Sequence, residues 1–165
     1  MDKAKSIHLL NSAVADELQA VHQYMYFHFH LEDQGFAPLA QLFQRIAIQE
    51  MGHIALLADR ILFLKGDVEM VAAGPVEKIL EPEATLLKVM AMEEDGIRTY
   101  NQAALASAAN ADAATKQLFE RLVGDEEGHF NQFGKQHDNI QRFGLNYLAL
   151  QSFGSGTPEG GPAAG

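Results

Sequence analysis

The sequence predicts an all-α chain: a four-helix bundle with one long crossover and a short fifth helix near the C-terminal end. Three observations carry this expectation. Four long segments repeat apolar residues with a period near 3.6. The links inside the first and last pairs of segments are short, while the middle link, GDVEMVAAGPVEKIL, is long. Finally, the two pairs echo one another, each carrying a lone Glu and then a Glu-x-x-His.

The first helix is expected from about Lys3 to Glu32, stopping at the Gly and Pro of DQGFAP. A second runs from about Pro38 to Leu64 and ends at Lys65-Gly66, a cation followed by a glycine cap. The third opens at Glu81-Pro82-Glu83, with proline and acids in its first turn, and continues to about Ala109. A fourth starts at Asn110-Ala111-Asp112, a natural N-cap, and reaches about Phe143. Helices of this length span roughly 40 Å. Short links make each pair an antiparallel hairpin, and the long one crosses from one end of the bundle to the other. LNYLALQSF supplies a short fifth helix, and the Gly/Pro-rich stretch 153–165 reads as a disordered tail after a single domain of residues 1–152.

Composition narrows the function. A net charge of −10 argues against gripping nucleic acid or docking on anionic lipid. The absence of cysteine excludes disulfides, thiolate zinc sites, Cys-ligated iron–sulfur clusters and thiol nucleophiles. Charged residues interrupt the N-terminal stretch before any signal core develops, and IALLADRILFL is broken by Asp59 and Arg60, so a cytoplasmic location is expected by default.

The second and fourth helices each place an acid and an imidazole on a greasy stripe. In QEMGH, Glu50 and His53 share a face with Ile46 and Leu57; in DEEGH, Glu126 and His129 lie between Leu122 and Phe133. On the first helix, Leu10, Val14, Glu17, Val21 and Tyr24 form one stripe that Asp16 leaves. Leu86, Val89, Glu93, Ile97 and Tyr100 do the same on the third, whereas Glu94 leads to Arg98 and Asn101. The same 33-residue step joins Glu17 to Glu50 and Glu93 to Glu126, and an offset of 76 superposes the two halves, Tyr24 onto Tyr100 included.

Two such hairpins packed about an approximate two-fold axis bring four carboxylates and two imidazoles together. Alone, that many buried charges would protonate or unfold the chain. Two divalent cations balance four carboxylates, and the donor set suits iron or manganese better than zinc. Glu17 and His53 are expected as terminal ligands of one metal, Glu93 and His129 of the other, with Glu50 and Glu126 bridging. Tyr24 and Tyr100 are placed to hydrogen-bond a ligand carboxylate, to give up an electron, or simply to pack. His28 shares the Glu17 stripe about three turns on, and is read as a surface or satisfied core residue with a weak auxiliary metal contact as the alternative. Met51, about 100° off the core stripe, faces a neighbouring helix or leaves the bundle as an adaptable interface residue.

The segments ADELQAVHQY, IAIQEMGHIALLADRI and LVGDEEGHF resemble the corresponding helices of bacterioferritins, over about residues 3–152. The resemblance implies the ferritin-like four-helix bundle and a hollow shell of 24 subunits built from two-fold dimers. It implies an intrasubunit di-iron ferroxidase centre at Glu17, Glu50, His53, Glu93, Glu126 and His129, oxidising Fe(II) with dioxygen or hydrogen peroxide and storing ferric mineral. It also implies a haem shared between two subunits with Met51 as axial ligand, and a ferredoxin-type electron donor for iron release. Two residues depart from the pattern. Gln49 is neutral where the family often carries an acid, which puts an inner-surface iron relay in doubt. Gly52 is costly in a helix interior and leaves room for a neighbour, a haem edge being one occupant. The rival readings are a rubrerythrin-like or manganese-catalase-like peroxidase on the same bundle, and a non-enzymatic Dps-like shell.

Overall fold

The computed structural model describes residues 1–154, and every regular element among them is helical. The elements are α1 (Lys3–Asp33), α2 (Ala37–Phe63), α3 (Pro82–Ala109), α4 (Ala113–Phe143) and α5 (Asn146–Gly154). α1 packs along α2 and α3 along α4 as two hairpins, with lighter contact between the hairpins, and α5 closes one end against α4 and α2. The architecture is the expected bundle. α5 extends two residues past the expected start of the tail, and residues 155–165 of that tail lie outside the described residues.

Local chemistry explains the helix ends. The Asp2 carboxylate accepts from Ala4 N–H at 3.0 Å and opens α1, and Asp112 accepts from Thr115 N–H at 3.2 Å and opens α4. Pro82 starts α3 where no intrahelical donor is needed. The α2 terminus corrects the sequence expectation. Lys65, not Gly66, takes the left-handed conformation, with φ of 68°, while Gly66 N–H bonds back to Ile61 C=O at 3.0 Å. Gly66 is instead required for space, since a Cβ there would lie 2.9 Å from the Ile7 side chain.

The crossover lies along α1 as a strap. Asn11 donates its amide to Asp67 C=O at 3.0 Å and accepts from Glu69 N–H at 3.0 Å. Farther along, Ala73 N–H donates to Ala15 C=O, and Gln23 exchanges two hydrogen bonds with the Glu77 backbone. Two side-chain amides thus satisfy an irregular backbone that has no sheet or helix to do so. The strap sends the chain to the far end of the bundle, which makes α3 start beside the turn that joins α1 to α2. Gln34 of that turn bonds Leu80 C=O at 3.0 Å.

Apolar packing falls into two clusters. One gathers Tyr24, Phe27, Leu31, Phe43, Ile46, Leu86, Val89 and Phe133. The other gathers Leu10, Val14, Leu57, Ile61, Tyr100, Phe119 and Leu122. The layer of acids and imidazoles lies between them. His28 belongs to the packing, not the site: its Nδ1 stands 2.9 Å from Ala40 C=O, so it is a satisfied core histidine and the auxiliary metal contact is not made.

Candidate metal centre

All six residues selected from the stripes are buried and converge. They form two tight groups that share Glu50 and Glu126: Glu17, Glu50, His53 and Glu126, and Glu50, Glu93, Glu126 and His129. Asp16 and Glu94 are exposed, as their places off the stripe require. Val21 and Ile97, expected on the stripes, are only half-buried.

Both imidazoles turn Nδ1 inward. His53 Nδ1 lies 2.8 Å from Glu50 Oε2, 3.2 Å from Glu17 Oε1 and 3.2 Å from Glu126 Oε1. His129 Nδ1 lies 3.0 Å from Glu50 Oε1, 3.6 Å from Glu126 Oε2 and 3.7 Å from Glu93 Oε2. Glu50 and Glu126 therefore direct one oxygen toward each imidazole, whereas Glu17 meets only His53 and Glu93 only His129. The rings stack with centroids 5.8 Å apart.

The tyrosines reach across the hairpins. Tyr24 O–H donates to Glu93 Oε1 at 2.5 Å, and Tyr100 O–H donates to Glu17 Oε1 at 2.7 Å. Burial, with the carboxylates nearby, holds both phenols protonated well above their usual range, so they act as donors.

Without cations, protons must keep this layer tolerable. Burial lifts Glu17 to about 8, with Glu50 and Glu126 adding to the effect and His53 opposing it. Burial likewise holds Glu93 well above the carboxylate range. Burial would pull the imidazoles down, but the close carboxylates of Glu126, Glu50 and Glu93 override it and push His129 up to about 12. The carboxylates of Glu126, Glu17 and Glu50 raise His53 in the same way. Glu126, whose burial is outweighed by the two imidazoles beside it, is held below its usual value.

Metal fits this site on direct observation. Glu50 Oε1 and Oε2, Glu93 Oε2, Glu126 Oε1 and His129 Nδ1 are buried without a hydrogen-bond partner among the described residues. Such atoms are costly unless something coordinates them. The arrangement of oxygen donors with one imidazole per position accommodates two cations, as the stripes indicated.

Two openings lead in. A groove of about 540 Å³ between α2 and α4 is lined by Gln49, Gly52, Gly124, Asp125 and Gly128 and ends on His53 and His129. A Cβ on any of these three glycines would meet nothing within 4 Å, so they keep the groove wide. The room beside Gly52 thus opens on the centre itself, and Met51, exposed on α2, is not part of its lining. A second opening of about 260 Å³ between α1 and α3 passes Asp16 and Asp95 to reach Glu17 and Glu93.

One residue of the site lies off the apolar stripes. Asp125 Oδ2 lies 3.3 Å from His53 Nε2. Four residues before His129, it reads in sequence as a solvated acid on its own helix, and only the packing of α2 on α4 reveals its partner. Its sole sequence signal is its place before Glu126, matching Gln49 before Glu50.

Comparison with known proteins agrees with the geometry. A family model described as Ferritin-like domain matches residues 7–143. A bacterioferritin from Rhodobacter capsulatus is 37% identical over 148 residues, 89% of this chain and 91% of that protein. One from Desulfovibrio desulfuricans is 35% identical over 153 residues, 89% of this chain and 82% of its own length. The structure of the R. capsulatus protein, with a metal-free dinuclear site and a haem iron on a crystallographic special position, superposes with a TM-score of 0.88 at 33% identity, covering 98% of this chain and 99% of the other. The D. desulfuricans structure, with its di-iron site in different catalytic states, gives 0.89 at 32% identity, covering 99% and 95%.

Proposed function

The chain belongs to the bacterioferritin family of ferritin-like proteins, and from that premise we propose that each subunit oxidises Fe(II) at the buried centre and delivers ferric iron to a mineral stored in a shell of 24 subunits. Bacterioferritins are iron-storage proteins of the ferroxidase type with a di-iron site, and the buried Glu/His cluster of this chain fits such a centre. They are also multi-subunit homo-oligomers.

Glu17 and His53 would hold one iron and Glu93 and His129 the other, with Glu50 and Glu126 shared between them. The observation that carries this reading is the double address of the two bridging candidates, each with one oxygen toward each imidazole. Iron bound there supplies one electron per Fe(II) to dioxygen or hydrogen peroxide. The chain contributes the rest. Tyr24 and Tyr100 fix the orientation of Glu93 and Glu17 through their hydroxyls. The apolar clusters on either side exclude bulk water along the bundle axis.

Haem would be carried at a two-fold interface on α2, with Met51 of each subunit as axial ligand. Support comes from Met51 itself, which is 55% exposed beside the equally exposed Ile48. Thioether ligation favours ferrous haem, suited to returning electrons to the mineral from a ferredoxin-type donor. Among the described residues no helix is long and apolar enough to cross a membrane, and a cytoplasmic location goes with this reading.

Anaerobic addition of Fe(II) to metal-free protein, followed by air, tests the proposal. Rapid oxidation with hundreds of irons retained per assembly is expected. Oxidation no faster than in buffer, or retention of only the centre's own two irons per subunit, would overturn it. The second result would favour a peroxidase.

A further inference from the structure

The two halves of the centre match residue for residue until the position preceding each bridging Glu. At the offset of 76, Glu17 pairs with Glu93, Glu50 with Glu126, His53 with His129, Tyr24 with Tyr100 and Gly52 with Gly128. Asp125 pairs with Gln49. This is where the charge symmetry of the α2/α4 side breaks.

The consequence is local and asymmetric. Asp125 Oδ2 stands 3.3 Å from His53 Nε2, the ring nitrogen opposite the one that meets Glu17, Glu50 and Glu126. A carboxylate on the outer nitrogen fixes the ring orientation and makes the inner nitrogen the stronger donor. His129 has no such support. Its ion-pair contacts all run through Nδ1, and among the described residues no carboxylate comes within 4.0 Å of its Nε2. The mirrored place belongs to the neutral amide of Gln49, in the same groove. Arg121, 3.8 Å from Asp125 and largely exposed, has its own counterpart in Arg45, so the arginines do not distinguish the halves. Asp16 and Asp95 share the mouth of the opposite opening and contact neither imidazole.

We infer that the two cation positions are unequal and fill in order: Glu17–Glu50–His53–Glu126 first and tightly, Glu50–Glu93–Glu126–His129 second and more weakly, with Asp125 as the positioning residue that sets the difference. This rests on the di-metal reading above and adds a direction to it.

Anaerobic titration of the metal-free assembly with Co(II), followed by calorimetry and visible absorption, tests the inference without any turnover. Wild type should bind in two steps, the first tighter by about tenfold or more, the scale on which outer partners of ligating histidines act. Asp125→Asn should weaken the first step by about that factor and leave the second within about twofold. Gln49→Asp should tighten the second step toward the first. Crystals grown with one equivalent of Co(II) per subunit should show an anomalous peak between Glu17 and His53. Equal steps in wild type, equal weakening of both by Asp125→Asn, or a first peak beside His129 would overturn the ordering alone. Absence of any Co(II) binding would overturn it together with the reading it rests on.

Discussion

Inside the bundle the α1/α2 and α3/α4 hairpins are near copies; outside, α2 and α4 are opposites. Exposed on α2 stand Ile48, Met51, Leu62 and Phe63, between 55% and 70% accessible. At the 76-residue offset, α4 carries Gly124, Glu127, Asp138 and Asn139. Each apolar residue of one helix is thus replaced by glycine or a polar residue on the other. The inner symmetry sets two like groups of carboxylates, each with one imidazole, side by side. The outer asymmetry answers a different demand. A row of exposed apolar side chains along a helix marks a surface that another molecule covers, and Met51 lies within that row.

Breaking the inner copy has the largest effect. Glu50→Ala should remove a bridging ligand from both cation positions at once and slow Fe(II) oxidation by at least about 100-fold, more than an outer-partner loss would. Stopped-flow oxidation kinetics on assembled protein measure it. Activity within a few-fold of wild type would show that Glu50 does not bridge.

Giving α2 the exterior of α4 comes next. Leu62→Asp with Phe63→Asn leaves the centre untouched and should shift sedimentation from a large shell to small assemblies. Met51→Leu is the subtler variant: shell and oxidation are kept, and the Soret band of the purified protein is lost. Retention of that band would remove Met51 as haem ligand.

Both comparisons were open to sequence reading to different degrees. The bundle was legible because each helix carries a 3.6-residue stripe and the only long link is the one that must cross. The centre was legible because Glu17, Glu50, Glu93 and Glu126 stand on stripes that otherwise hold Leu, Val and Ile, an anomaly in local pattern alone. Asp125 was hidden because its partner is 72 positions away on another helix and nothing along α4 marks it. Lys65 was misread because glycine normally takes the left-handed cap; the contact that demands Gly66 comes from Ile7, at the far end of α1.

A moderate effect should appear in the pH dependence of the metal-free protein, where protons stand in for cations. Glu17 keeps its proton to about 8 in the folded state but releases it near 4.5 when unfolded, so the unfolded chain binds fewer protons across that window. Stability therefore falls as pH rises through it. His129 acts in the same sense between about 6.5 and 12. Calorimetry in the presence of chelator should show the midpoint dropping from about pH 5 to 9, and saturating Co(II) should flatten that slope. Metal uptake should release about two protons per cation at neutral pH, since Glu17, Glu93, His53 and His129 all hold theirs. A midpoint that rises over this range would contradict the proton-filled site.

The smallest effects test how far the inner copy extends. Tyr24→Phe leaves Glu93 Oε1 without its donor, and Tyr100→Phe does the same to Glu17 Oε1. Losing a hydrogen bond to a buried acid costs about 1–3 kcal/mol, and in a chain of this size about 1 kcal/mol lowers the thermal midpoint by about 2–4 °C. The surroundings differ, because Tyr24 packs edge-on to Phe43 and Phe133 while Tyr100 lies tilted on Phe119. Phenylalanine preserves those ring contacts in both places. If the hydroxyls matter through the carboxylates they orient, the two variants should lose stability and Co(II) affinity to a similar extent, each chiefly at its own cation position. Tyr24→Phe then weakens the site of Glu93, and Tyr100→Phe that of Glu17. If instead the tyrosines serve packing alone, neither variant will move the Co(II) isotherm, and the equivalence of the halves ends at the ligands themselves.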